Sequence, residues 1–194
     1  RAPLLAIPFH EVGRLAGKAL LERGHRRVAF FASHPSESSR GYLEGLSEVL
    51  PPDARTASHH VFFGPENLPD PEVQEPALLA ALETLVSQPD RPTALFASFD
   101  SAAELIYLLL LRLGLRVPED ISLIGFGGTV RSSAILHMIT SVTVDEVEIG
   151  RRAVDLLDRM RRRELPIDSN ETFVMPIGLS GGQTLGPAPR RTSK

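Results

Sequence analysis

The sequence predicts an α/β fold: a doubly wound parallel sheet with helices on both faces. Three observations carry this. Apolar runs at residues 26–32, 93–98 and 121–126 are short and do not alternate, the pattern of strands covered on both sides. Leucines and alanines recur at helical spacing between them, in residues 10–23, 40–50, 78–86 and 101–113. Gly24, Pro51-Pro52 and Gly114 punctuate the junctions.

At 194 residues the chain holds one good-sized core, or one domain and a piece of another. Its net charge of −3 argues against a nucleic-acid surface on this chain. The absence of cysteine excludes disulfides and thiolate metal sites and fits a reducing compartment. No charged-then-apolar leader stands at the start and no apolar run approaches a membrane span, so a cytoplasmic chain without membrane contact is expected.

Residues 1–9 carry two prolines and read as an extended lead-in. Val12, Leu15, Ala16, Ala19 and Leu20 form the apolar stripe of a first helix over 10–23, which Gly24 closes before the first strand. His25, at that turn, is expected to cap or pack rather than to act as a base. Residues 33–39 read as a polar loop, followed by a helix over 40–50 with Tyr42, Leu46, Val49 and Leu50 on one face. A short strand is expected at 61–63. The histidines before it, His59 and His60, point to opposite faces and make a poor chelate. Residues 64–76 hold four prolines and read as a loop, with Pro76 in the first turn of the helix that follows.

After the strand at 93–98, Ser101 and Glu104 have the spacing of a capping box, with Asp100 as a competing cap. Pro118 forbids continuation of that helix, and the strand at 121–126 ends in Gly125, Gly127 and Gly128. Such a bare carboxyl end is where a doubly wound sheet keeps its ligand. Residues 129–138 read as irregular or briefly helical, 140–144 as extended and 145–163 as a helix. Asp145 with Glu148 suits its start, and Arg161, Arg162 and Arg163 suit a solvated helix end rather than a nucleic-acid contact. A last strand is expected at 172–179, with Pro176 near an edge or bulge, and a disordered tail at 186–194.

Four stretches, in this order, resemble the lactose/galactose-repressor family of bacterial transcription regulators. They are Gly24-His25-Arg26-Arg27-Val28-Ala29; Arg40-Gly41-Tyr42; Pro92-Thr93-Ala94-Leu95-Phe96-Ala97 with Asp100; and Val117-Pro118-Glu119-Asp120-Ile121-Ser122-Leu123-Ile124-Gly125-Phe126. The resemblance implies a periplasmic-binding-protein-like fold of two flavodoxin-like lobes, with an effector in the cleft between them. In that layout 1–9 is a lead-in near the inter-lobe crossover and 10–139 is the C-terminal effector-binding lobe. Residues 140–166 belong to the N-terminal lobe, and 167–185 return as a final strand to the C-terminal lobe. The rest of the first lobe and a DNA-binding head would lie upstream. The implied function is effector sensing and dimerisation in a regulator, with no enzyme activity, cofactor or metal. A periplasmic-type solute-binding domain is the alternative. An α/β enzyme is the third reading, although GxGxxG, GxxxxGK[ST] and GxSxG are all absent.

The candidate site lies where the strand ends meet, at 33–40, 98–100 and 127–131. Arg40 can grip a carboxylate, a phosphate or paired hydroxyls bidentately, and the resemblance places an arginine here on the effector. Ser33 and Ser39 offer hydroxyls, Phe99 a stacking face and Asp100 a carboxylate. Gly127 stands where the family usually has an aspartate, Phe99 where it often has an asparagine, and Pro8 where an aspartate is common. An Arg40 deprived of its counter-charge predicts an anionic effector, such as a sugar acid or sugar phosphate. Leu105, Tyr107, Leu108, Leu109 and Leu111 exceed what one core-facing stripe can bury, which predicts a symmetric homodimer through this helix.

Overall fold

The computed structural model describes residues 3–32, 35–52, 54–60, 71–128 and 133–189. Strand β1 (Leu4–Ala6) leads into α1 (Phe9–Glu22), β2 (Arg27–Ala32), α2 (Glu37–Val49), β3 (Arg55–His60) and α3 (Pro71–Val86). There follow β4 (Ala94–Ala97), α4 (Asp100–Arg112), β5 (Ser122–Gly128), the short α5 (Ala134–Met138) and β6 (Thr140–Val144). Helix α6 (Glu146–Arg161) and strands β7 (Thr172–Val174) and β8 (Ile177–Leu179) complete the order.

Six strands form the main sheet in the order β3-β2-β4-β5-β6-β8, and β1 pairs with β7 in a separate two-stranded sheet. Every pairing is parallel except β6 with β8. The apolar strands are covered on both sides, as parallel sheets require. Val12, Ala16 and Leu20 of α1 and Tyr42 and Leu46 of α2 pack on Phe30, Phe96, Ile124 and Val142. On the opposite face Leu78, Leu82 and Leu85 of α3 and Ile106, Leu109 and Leu110 of α4 cover Phe31, Leu95 and Leu123.

The chain departs from expectation at several junctions. Strand β3 runs through 55–60 and the expected 61–63 lies outside the described residues. An edge strand needs backbone pairing on one side only, here with β2 from Arg27↔Arg55 to Ala32↔His60, so apolar content is a poor guide to it. Helix α2 starts at Glu37 rather than 40, because Ser36 caps it in reciprocal hydrogen bonds with Ser39. Helix α3 starts at Pro71 and contains Pro76 in its interior, where the ring faces solvent. Phe99, not a polar side chain, occupies the cap position of α4. The expected partner Glu104 instead accepts from Ser133 Oγ at 2.6 Å.

The expected last strand is two strands in different sheets. Met175 is buried, and Pro176, with no N–H to give a ladder, separates β7 from β8. The expected tail is packed as far as residue 189. Leu123 N–H donates to Thr184 O at 2.8 Å, Thr184 Oγ1 donates to Leu123 O at 2.7 Å, and Gly186 N–H donates to Ser122 Oγ at 3.0 Å. The buried His25 completes this strap through its bond to Gly186. Residues 190–194 lie outside the described residues.

Candidate functional site

The strand order reverses between β2 and β4: the chain goes outward from β2 to β3, then returns to lay β4 on the other side of β2. Such a switch point opens a crevice at the carboxyl ends of the two strands, since their loops leave in opposite directions. The residues around it are those after Ala32, the first turn of α2, and 98–100.

One wall is set by a close helix crossing. A Cβ on Gly13 would stand 2.0 Å from the carbonyl oxygen of Tyr42, and one on Gly45 would stand 1.9 Å from that of His10. Only glycine at both positions lets the backbones of α1 and α2 meet, and this crossing aims the first turn of α2 at the sheet's end. Tyr42 then sits among Phe9, Phe30, Phe96 and Phe126, with ring centroids 5.3–6.3 Å from its own. Burial pushes its phenol well above the ordinary range, so it stays neutral within the core beneath the first turns of α2.

The predicted residues fare differently. Ser39 is buried and engaged with the cap: its Oγ accepts from Ser36 N at 2.8 Å and donates to Ser36 O at 3.1 Å, so it holds the turn rather than facing a ligand. Arg40, one residue later, is exposed and makes no ion pair among the described residues. Ser33 and residues 129–131 lie outside the described residues. Phe99 is 39% exposed at the start of α4. Asp100 and Gly127 are brought together directly: a Cβ on Gly127 would stand 2.4 Å from Asp100 Oδ2, and one on Gly125 would stand 2.4 Å from Oδ1. Ser141 Oγ, on β6, donates to Asp100 Oδ1.

Three residues here have no marker in sequence. Ser141 comes from a β-branched strand that reads as core. Ser98 is buried with its Oγ unpartnered among the described residues. Glu146, exposed at the start of α6, lays its carboxylate over Gly128, where a Cβ would stand 2.0 Å from Cδ. Among the described residues no three His, Asp or Glu side chains gather into a metal-holding group.

The predicted dimer helix divides. Leu108 and Leu111 are each 45% exposed, and Leu105 and Tyr107 are half-buried. Leu109 corrects the expectation: it is 2% exposed and belongs to the core against β4 and β5. It lies three residues from Ile106, on the inward stripe.

Residues 17–185 match a family model described as periplasmic binding protein-like domain. The chain belongs to that family. This periplasmic-binding-protein-like chain is 28% identical to the ribose operon repressor of Haemophilus influenzae, over 84% of its length and 47% of the relative's. It is 31% identical to the transcriptional repressor PurR of Edwardsiella ictaluri, over 77% of its length and 43% of the relative's. A solved LacI family transcriptional regulator from Mycobacterium smegmatis superposes with a TM-score of 0.74 at 26% identity, covering 96% of this chain and 67% of that one. The chain thus spans about half the length of the curated relatives it matches. No helix among the described residues is long and apolar enough to cross a membrane.

Proposed function

We propose that the chain is the effector-sensing and dimerising part of a cytoplasmic transcription regulator, with DNA bound by a head outside it. The observation that carries this reading is the division of the chain between two sheets. Beside the complete lobe around the six-stranded sheet lies a fragment of a second: the β1–β7 pair and α6. Leu156 of α6 is buried, whereas Val147, Val154 and Leu157 are exposed, as are Leu4 and Val174 on the strands. Two strands and one helix cannot enclose a core, so these side chains fit a larger first lobe built on the same strands. On this reading the effector lobe is the six-stranded sheet with its helices and includes β6, so the boundary expected at 140 falls after β6; α6 goes with β1 and β7 to the first lobe, and β8 returns to the second.

The switch-point crevice then faces the opposite lobe, and a small molecule held between the lobes selects one closure over another. Similarity to repressors, one of them named for the ribose operon, supports the regulatory role. The test is retention of a DNA fragment from upstream of its own gene by the intact regulator, with and without small molecules. Retention that responds to a compound supports the reading, and absence of DNA binding by the intact protein removes it.

A second reading makes the effector an anion gripped by Arg40. The exposure of that guanidinium, and its lack of an ion pair among the described residues, favour it.

A further inference from the structure

A recess of about 350 Å³ lies between α1 and the segment that leads from β7 into β8. Strands β5 and β6 stand between β8 and the switch point, so the recess is separate from the switch-point crevice. Its lining is of two kinds. Leu15, Val174 and Ile177 present partly uncovered apolar surface over the buried Met175. Arg14 and Lys18, one turn apart on the same face of α1, are cations, and Glu11 is the one acid beside them, which leaves the lining net positive. Arg14 lacks a close acceptor. Its Nη1 lies 3.6 Å from Glu11 Oε1 and 3.5 Å from Glu48 Oε1, while His10 Nε2 holds Glu48 at 3.0 Å. Arg14 Nε is sheltered from solvent and has no hydrogen-bond partner among the described residues. Lys18 is exposed and makes no ion pair among the described residues.

The recess also sits where the chain passes between its two sheets. Pro8, between β1 and α1, and Pro176, between β7 and β8, both border it. Met175 N–H donates to Ala6 O at 2.9 Å and so ties these two crossings side by side. Strands β1 and β7 form the small sheet, whereas β8 belongs to the large sheet on which α1 packs. A molecule in the recess therefore touches both units at once.

We propose that this recess is a second ligand site, for a compact organic carboxylate with an apolar body, and that its occupation biases how the two lobes close. The regulatory half rests on the two-lobe reading above, and the binding half does not. The carboxylate accepts from Arg14 and Lys18 in charge-assisted hydrogen bonds, and the body displaces water from Leu15, Val174 and Ile177. A sugar phosphate fits less well, because its hydroxyls would face apolar walls without partners. On the two-lobe reading closure turns β7 relative to α1, so contacts made across the recess differ between the open and closed states. Such a difference is what lets a ligand shift the balance between them.

Calorimetry on the intact regulator tests the site, with benzoate as the probe and benzamide, its uncharged counterpart, as the control. Benzoate is expected to bind at least tenfold tighter than benzamide, and Arg14→Gln and Lys18→Gln are each expected to weaken it at least fivefold. Should Arg14→Gln fail to fold, Lys18→Gln, at an exposed position, decides alone. No benzoate binding, equal binding of benzamide, or unchanged benzoate affinity in the folded variants would each overturn the site. The first is also the outcome if side chains of the first lobe fill the recess. The regulatory half is read from DNA retention with and without benzoate: a shift of at least threefold in the retention midpoint, abolished by Lys18→Gln, is expected. Benzoate binding that leaves retention unchanged overturns that half. A protein that binds benzoate in this pattern but no DNA keeps the site and removes the regulator reading.

Discussion

His25 Nε2 donates to the carbonyl of Gly186 at 3.0 Å, while its Nδ1 lies 3.0 Å from Thr93 Oγ1. The imidazole thus ties the turn after α1, the start of β4 and the C-terminal strap into one buried knot. The carbonyl can only accept, so the neutral ring carries its proton on Nε2 and Thr93 donates to Nδ1.

This knot makes stability pH-dependent. Burial holds the His25 pKa below its ordinary 6.5. The unfolded chain therefore takes up a proton near 6.5, and the folded chain does so only at lower pH. Stability is present in full above 6.5, falls as pH drops from there to the folded value, and then levels. Urea unfolding between pH 5 and 8, settings chosen to bracket ~6.5, should show this loss. His25→Gln should flatten it and lower stability at neutral pH by about 1–3 kcal/mol, through buried groups left unsatisfied. An equal slope in both proteins would contradict it.

The glycines of the α1–α2 crossing and of α6 should respond with opposite sign. Gly45→Ala drives a methyl into the His10 carbonyl, a backbone atom that cannot swing away, and should destabilise by about 3 kcal/mol or more. Gly150, on exposed α6, has no heavy atom within 4 Å of the added Cβ. Gly150→Ala should stabilise by about 0.5–1 kcal/mol through helix propensity. Both are read from denaturant midpoints.

Substitutions on α4 should separate association from folding. Leu108→Asp or Leu111→Asp should convert a dimer to a folded monomer by light scattering at micromolar concentration, with an unchanged circular dichroism spectrum. Leu109→Ala should leave association intact and lower unfolding free energy by about 2–5 kcal/mol. A native protein already monomeric at that concentration removes the interface.

The lobe assignment is tested on α6. In this chain alone, Val154→Lys and Leu157→Lys should change stability by less than about 0.5 kcal/mol, since both side chains are exposed. In the intact regulator, where the first lobe would cover them, the same changes should cost about 2–3 kcal/mol. Equal small effects in both would mean that nothing covers this face.

Local order was legible in the residues themselves. The apolar runs that became β2, β4 and β5 and the stripe of α1 follow from periodicity, because burial on two faces or on one stripe leaves a direct mark on composition. Asp145 capping α6 through Glu148 N–H, at 2.9 Å, is equally a matter of neighbours. What the tertiary structure alone decided depends on atoms far apart in the chain. Strand β3 is held by pairing with β2 rather than by its own apolarity, and Met175-Pro176 marks a change of sheet that no local pattern announces. Leu109 and Leu111 look alike in sequence, yet a rotation of two residues puts one in the core and the other in solvent. At the site, the family resemblance marked a carboxylate as missing at Gly127, and Asp100 stood in the sequence as a separate candidate carboxylate. That Asp100 fills the gap, 27 residues away in the chain, is decided by the parallel pairing of β4 with β5, which brings the two strand ends side by side. Side-chain vacancy is local information, but what fills it is a property of packing.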